Sequence, residues 1–487
     1  MTRPLVLRRA EVGGEVVDVL VANGRVAAVG ADVPAPGGAA VVEAGGGALL
    51  PGLHDHHLHL LATAAARASV DVGPARVRDR PSLGHRLRAH AASLEPGRWV
   101  RAVGYDPGAA GPIDRAVLDA AVADRPVRVQ DRTGITWTLN TAALDALGLL
   151  GGGGLPPAIA AGVERGGDGA PTGRLVRLDA WLRDRLGIDV PDLADLGTDL
   201  TRCGVTGVTD ASPFGDLTAL DVLAAAHRSG ALPQRITATG GVALAGAGPR
   251  FPAEVGVGPV KVVIDDHDLP SLDELAGWIA AAHRHGRPVA VHCVTRVQLL
   301  LALAAWDEAG ARPGDRVEHG SVVPAESVAR LAALGLAVVV QPVFVHDRGD
   351  RHLAEVDADD RGDLHRCAGL LAAGVAVAAG SDAPYGDVDP WASMRAAVGR
   401  RTAAGVSLGP GEAVSPEVAL GLHLGPPEAP GGPRRRVAVG AAADLCLLAV
   451  PWRVARDRLR ADDVAATVVG GRLVGGGTVG GGAVGPR

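Results

Sequence analysis

Apolar and polar positions divide this chain into three kinds of territory. Residues 5 to about 50 alternate in short apolar bursts, at 5–7, 16–21 and 25–29, and an Asn23-Gly24 pair separates the last two. Asn-Gly between two apolar runs is a strong signal for a tight hairpin, because both central residues must take positive φ. The far end has the same character, with strands predicted over 437–440, 444–448 and 465–474. Neither end carries enough apolar residues to bury a core alone. Together they predict a small β-sandwich built from both termini, residues 1–50 plus 435–487.

The long middle has a different rhythm. From residue 190 onward, strands predicted at 204–210, 235–240, 260–265, 288–292, 315–319, 337–341 and 375–382 alternate with helices. The helices fall at 193–202, 217–229, 272–285, 297–309, 324–333 and 364–373. Repeated βα units of this length predict an α/β fold, a (β/α)8 TIM-like barrel over 51–434. Residues 70–190 are less regular. Helices are predicted at 82–93 and 114–119, strands at 99–103 and 126–130, and a glycine-rich interruption at 148–154. This stretch reads as one or two barrel strands plus an inserted lobe lying over the mouth.

Composition adds several constraints. The chain has 487 residues, a formal net charge of −6 and no basic tract, so nothing in it suggests nucleic acid as a partner. No stretch has the length and apolarity of a membrane span, and the start lacks a signal-peptide core. The four cysteines, Cys203, Cys293, Cys367 and Cys446, form no Cys-x-x-Cys pair. That predicts a reducing, cytoplasmic setting and no structural thiolate site. Of 48 basic residues, Lys261 is the one lysine. Where a plain positive charge suffices, this sequence uses arginine, so the surviving lysine points to a task for an amine that can lose its proton.

The candidate chemistry begins at residues 51–59, Pro-Gly-Leu-His-Asp-His-His-Leu-His. His57 and His59 are two apart and face one side of a strand, as a pair of metal ligands must. The pair alone does not name a metal, and His54 or His56 offers an alternative register. In a (β/α)8 barrel, polar residues at the C-terminal ends of strands point into the catalytic mouth. His57, His59, His292, His319 and Asp382 all sit at or near such ends, and Lys261 lies early in its predicted strand. Polar candidates for substrate contact nearby are Arg132, Trp137, Asp266, His267, His346 and Tyr385.

These motifs, in this order, resemble the amidohydrolase superfamily over nearly the whole chain. Within it the chain is most similar to the branch that contains N-substituted formamide deformylase-like enzymes. The resemblance rests on the 51–59 motif, on Gly-Ala-Pro-Thr-Gly at 169–173 and on Gly-Val-Thr-Gly-Val-Thr-Asp at 204–210. It rests also on Arg-Val-Glu-His at 316–319, Ser-Asp-Ala-Pro at 381–384, and Gly440 with Ala443-Asp444-Leu445. It implies two divalent metal ions, with zinc the favoured species. His57 and His59 would hold the more buried ion, and His292 and His319 the second. Lys261, carbamylated, would bridge them, and Asp382 would touch the first ion and shuttle the proton.

The implied function is hydrolysis of a non-peptide C–N bond, in an amide, formamide or cyclic amide, by metal-activated water. Two alternatives stand beside it. One is another reaction of the superfamily, such as deamination or ring opening of a cyclic amide. The other is a catalytically silent barrel serving as a binding module. The partners expected are a small-molecule substrate and, as large barrels often pair, a second copy in a homodimer. No membrane and no nucleic acid are expected.

Overall fold

The computed structural model describes residues 3–151, 155–187, 191–213, 215–247 and 250–476. The chain forms two compact units, Met1–Leu60 with Leu193–Arg487, and Leu61–Asp192.

In the first unit, eight strands pair in parallel through their whole order: Leu53–Leu58, Val205–Asp210, Arg235–Gly240, Val255–Val263, Val289–Cys293, Arg316–His319, Ala337–Val340 and Ala376–Ala379. The first and eighth meet at their C-terminal ends, where Asp382 N donates to His57 O (2.7 Å) and His59 N to Ala383 O (2.9 Å). Gly380 makes that approach feasible, because a Cβ there would lie 2.5 Å from His57 N. This is the (β/α)8-like barrel that the alternation predicts.

Alternation along each strand sorts the side chains. Val260, Val262, Val289, Val291, Val317, Val338, Val340 and Val377 join one core cluster with Leu275, Ile279, Leu299, Leu303 and Trp306 of the surrounding helices. The residues between them, among them Lys261, His292 and Glu318, must then face the barrel interior. The strand carrying Lys261 begins five residues earlier than 260–265 suggests and ends at Val263, so the lysine lies near its C-terminal end. Asp315, 1% exposed, locks two neighbouring strands at their starts. Its carboxylate accepts from Val289 N (2.7 Å), from Trp306 Nε1 (3.1 Å) and from Arg312 N (2.9 Å). That fixes the register that places His292 and His319.

Two further sheets contain the terminal strands. Leu5–Val12, Glu15–Ala22, Arg25–Gly30 and Ala40–Glu43 form one, and Leu49–Pro51 joins Leu445–Leu448, Val464–Val469 and Arg472–Gly476 in the other. Leu5, Leu7, Val19 and Val21 share a core cluster with Leu445, Leu447, Ala466 and Val468, so both termini build it. Asn23 (φ 51°) and Gly24 (φ 73°) make the hairpin turn as predicted. The strand predicted at 437–440 does not form. Gly440 takes φ 88°, and the segment instead docks by Gly440 N to Val26 O (2.8 Å).

The second unit corrects another expectation, since among the described residues no barrel strand comes from 70–190. Its six strands run Val163–Arg165, Pro171–Val176, Thr136–Leu139, Val127–Asp131, Val100–Tyr105 and Val70–Asp71 across one sheet. Thr136–Leu139 pairs antiparallel with Val127–Asp131, a hairpin that an all-parallel barrel excludes. The glycine-rich interruption read at 148–154 lies partly, at 152–154, outside the described residues. Among the described residues, no helix is long and apolar enough to cross a membrane.

Candidate metal centre

The sequence Leu53–Leu58 forms a strand buried along its whole length. At its end His57 and His59 meet Asp382, which follows the eighth strand. One ligand atom from each of the three lies within 4.8 Å of the others. His59 Nε2 is 3.1 Å and His57 Nε2 3.4 Å from Asp382 Oδ1. The backbone is built to hold this arrangement. Asp55 Oδ1 accepts from both His57 N and Ser381 N, each at 3.0 Å, and so ties the two strand ends together. Asp382 adopts φ 54°, a left-handed conformation that a non-glycine residue keeps only when its surroundings enforce it.

The other predicted ligands gather around this trio. The His319 ring is 4.7 Å from that of His57, and His292 is 4.6 Å from His319, centroid to centroid. Lys261 is 7% exposed, and its Nζ is buried without a hydrogen-bond partner. His319 also has positive φ, 71°. Regular alternation would point Glu318 and His319 to opposite faces. The turn at His319 brings both against His57.

Electrostatics follow from burial and from the few charges inside. Burial pushes the Lys261 amine below its ordinary pKa, and the Arg316 guanidinium adds to that against the pull of Glu318 and Asp382. Burial takes His292 down to about 3 and His319 well below the usual imidazole range, so both are neutral at pH 7 and suited to be ligands. His57 is the exception. Burial and Lys261 lower its pKa, but Glu318 and Asp382 outweigh them and raise it. Burial raises Asp382, yet its bonds to His57 and His59 hold it well below the carboxylate range. The donor set of two imidazoles and a carboxylate at one point suits a divalent ion such as zinc.

His54 and His56 take no part in this cluster. His54 Nε2 is 2.9 Å from Thr209 Oγ1, and His54 N donates to His423 O at 2.9 Å. Of the residues proposed for substrate contact, Tyr385 is nearest the trio, its ring edge-on to His59 at 6.1 Å. Asp266 accepts from Thr295 Oγ1 (2.9 Å), His267 has an 80% exposed side chain, and His346 is bonded to Asp347 (2.9 Å). Arg132 and Trp137 belong to the second unit. There Arg132 pairs with Asp106 (3.0 Å), and Trp137, 4% exposed, donates its indole N–H to Asp179 (2.7 Å).

Three polar residues beyond the predicted set support the site: Asp55, Glu318 and Gln341. His57 Nδ1 is 2.5 Å from Glu318 Oε2, and His319 Nδ1 is 2.8 Å from Gln341 Oε1. Gln341 carries the same signal that marks His292, a polar residue closing a run of four apolar ones. Glu318 was hidden by its place beside a ligand on a strand.

Comparison with known proteins agrees with this geometry. The profile of the Amidohydrolase family matches residues 40–475. An N-substituted formamide deformylase of Arthrobacter pascens is 26% identical over 460 residues, covering 83% of this chain and 84% of that protein. The putative amidohydrolase YtcJ of Bacillus subtilis (strain 168) is 23% identical over 399 residues, covering 73% and 74%. The crystal structure of an uncharacterized metal-dependent hydrolase from Pyrococcus furiosus superposes with a TM-score of 0.69 at 22% identity, covering 91% of this chain and 98% of that one. The family match spans most of the chain and includes all three residues of the cluster, and on that ground this chain belongs to the amidohydrolase family.

Proposed function

We propose that this protein hydrolyses a non-peptide C–N bond, with an N-substituted formamide as the first substrate class to test. The observation that carries the reading is the convergence of His57, His59 and Asp382 within 4.8 Å at the mouth of the barrel. The name of the Arthrobacter relative directs attention to formamides, and acyl amides and cyclic amides come next.

In this reading His57, His59 and Asp382 would hold one divalent ion. His292 and His319 would hold a second, with Lys261, as a carbamate, supplying a further ligand. The amine is suited to that task, since it is buried, pushed toward its neutral form and without a hydrogen-bond partner. When bound, the ions polarise the carbonyl and lower the pKa of water. The rest falls to the chain. Asp382 takes the proton of the attacking water and passes it to the leaving nitrogen, so one carboxylate serves as base and then acid. Its low pKa keeps it ionised in the metal-free chain. Tyr385, whose ring lies 6.1 Å from that of His59, would line the space for the acyl group.

The test is a panel of N-substituted formamides, N-acyl amines and cyclic amides, assayed before chelation, after chelation, and after zinc is restored with bicarbonate. Turnover that disappears with the metal and returns with it is the expected result. Turnover that survives full metal removal would overturn the assignment.

A further inference from the structure

Two histidines of the site are held from behind by different chemistry. His57 Nδ1 meets a carboxylate, Glu318, whose other oxygen accepts from Arg316 Nε at 2.7 Å. All three side chains are at most 1% exposed. His319 Nδ1 meets a neutral amide instead. Gln341 Nε2 donates to Val339 O (3.2 Å), which turns its Oε1 toward His319 at 2.8 Å. Each acceptor requires a proton on the Nδ1 it faces, so both imidazoles are left to present Nε2 to the mouth.

A buried ion pair is a poor source of stability, because the cost of removing two charges from water offsets their attraction. Arg316 Nη2 is moreover buried without a hydrogen-bond partner. What the pair does for the imidazole is the better account of its place. A carboxylate behind a histidine fixes the ring's tautomer and raises its basicity as a metal ligand. An amide fixes the tautomer alone.

We propose that the buried Arg316–Glu318 pair is a positioning device that grades the site, making His57, His59 and Asp382 the tight position for a divalent ion and His292 with His319 the loose one. Glu318 acts through His57 and is not itself placed to touch substrate. The proposal rests on the hydrolase reading only in expecting metal at this site.

The test uses the full-length protein stripped of metal and titrated with zinc against a chromophoric chelator, with no substrate present. Glu318→Gln keeps the size of the side chain and removes its charge. The tight zinc dissociation constant should rise roughly 10- to 100-fold, the range seen when such supporting partners are lost. Gln341→Leu should change it by a smaller factor. Unchanged tight affinity in Glu318→Gln, or a larger loss in Gln341→Leu, would overturn the proposal. If Glu318→Gln does not fold, histidine ¹⁵N NMR of the zinc-loaded wild-type protein decides instead. His57 should carry its proton on Nδ1, and a proton on Nε2 would overturn the proposal. Tight zinc binding with no hydrolysis of any amide would sink the hydrolase reading alone. Wild-type protein that binds no zinc would sink both.

Discussion

The two halves of the site differ in how far the chain alone completes them. Around His57, His59 and Asp382 the chain supplies most of the contacts, and His57 Nε2 alone among these ring nitrogens is buried without a hydrogen bond. Asp382 reaches both imidazoles, Asp55 binds two backbone N–H groups, and Glu318 holds His57 from behind. Around Lys261, His292 and His319 the imidazoles face each other edge-on at 4.6 Å, and the amine has no partner. Among the described residues, the first half is the one group of three or more His, Cys, Asp or Glu side chains whose ligand atoms converge closely enough to hold an ion. The lesson is chemical. Folding suffices to assemble a site from side chains that already carry their donor atoms. In the proposed reading, the second half is completed only when Lys261 is modified.

The predictions sharpen or break this contrast, taken from the largest expected effect to the smallest. Asp382→Asn should lower turnover by about 10²–10⁴-fold, because the proton carrier is lost. Steady-state kinetics at saturating zinc check it, and wild-type turnover would remove Asp382 from the mechanism. Lys261→Met should also abolish most activity, yet it should leave the metal-free protein equally or more stable, by up to about 1–3 kcal/mol, since an unsatisfied buried amine is removed. Thermal melting of the apoprotein reads this sign, and a clear loss of stability would show that the lysine is a structural partner after all.

A pH effect should bear on the first half. His423 donates from Nδ1 to His54 O at the start of the strand that carries His57. Burial lowers its pKa from 6.5 to about 4 in the folded chain. Between those values the unfolded chain binds more protons than the folded one. Its contribution is therefore full above pH 6.5, and about 3 kcal/mol is lost as pH falls from 6.5 to 4, with no further loss below. Denaturant melts of the apoprotein across that window should show a loss to which other buried imidazoles such as His292 also contribute, and His423→Leu should reduce it by about that amount. The smallest effect is expected for His267→Ala, whose side chain is 80% exposed: stability within about 0.5 kcal/mol of wild type. A large rise in KM for that variant would instead mark the loop after the fourth barrel strand as part of the substrate site.

Much of this was legible in the sequence because barrel strands repeat a simple rule. Apolar residues face the helices, polar residues at strand ends face the mouth, and the run of βα units from 190 onward obeys both. His57, His59 and Asp382 were visible for that reason. The lobe was not, because its strands are short and mix parallel with antiparallel pairing, so 99–103 and 126–130 look like barrel strands until Thr136–Leu139 turns back on them. Glu318 was hidden by a backbone event. Only the positive φ at His319 lets two consecutive residues reach His57, and a dihedral of that kind leaves no mark in a pattern of alternation. The strand expected at 437–440 failed for a related reason, since Gly440 turns the chain with φ 88° where apolar residues suggested extension.

The most direct test of the two-part site is the intact mass of the protein under non-denaturing conditions, purified without chelator. The account predicts two divalent ions per chain and the added mass of one carbon dioxide, which Lys261→Met removes. A single ion with no added mass would contradict the second half and leave Lys261 with another role. A chain that carries no metal even after reconstitution with zinc and bicarbonate would contradict the account as a whole.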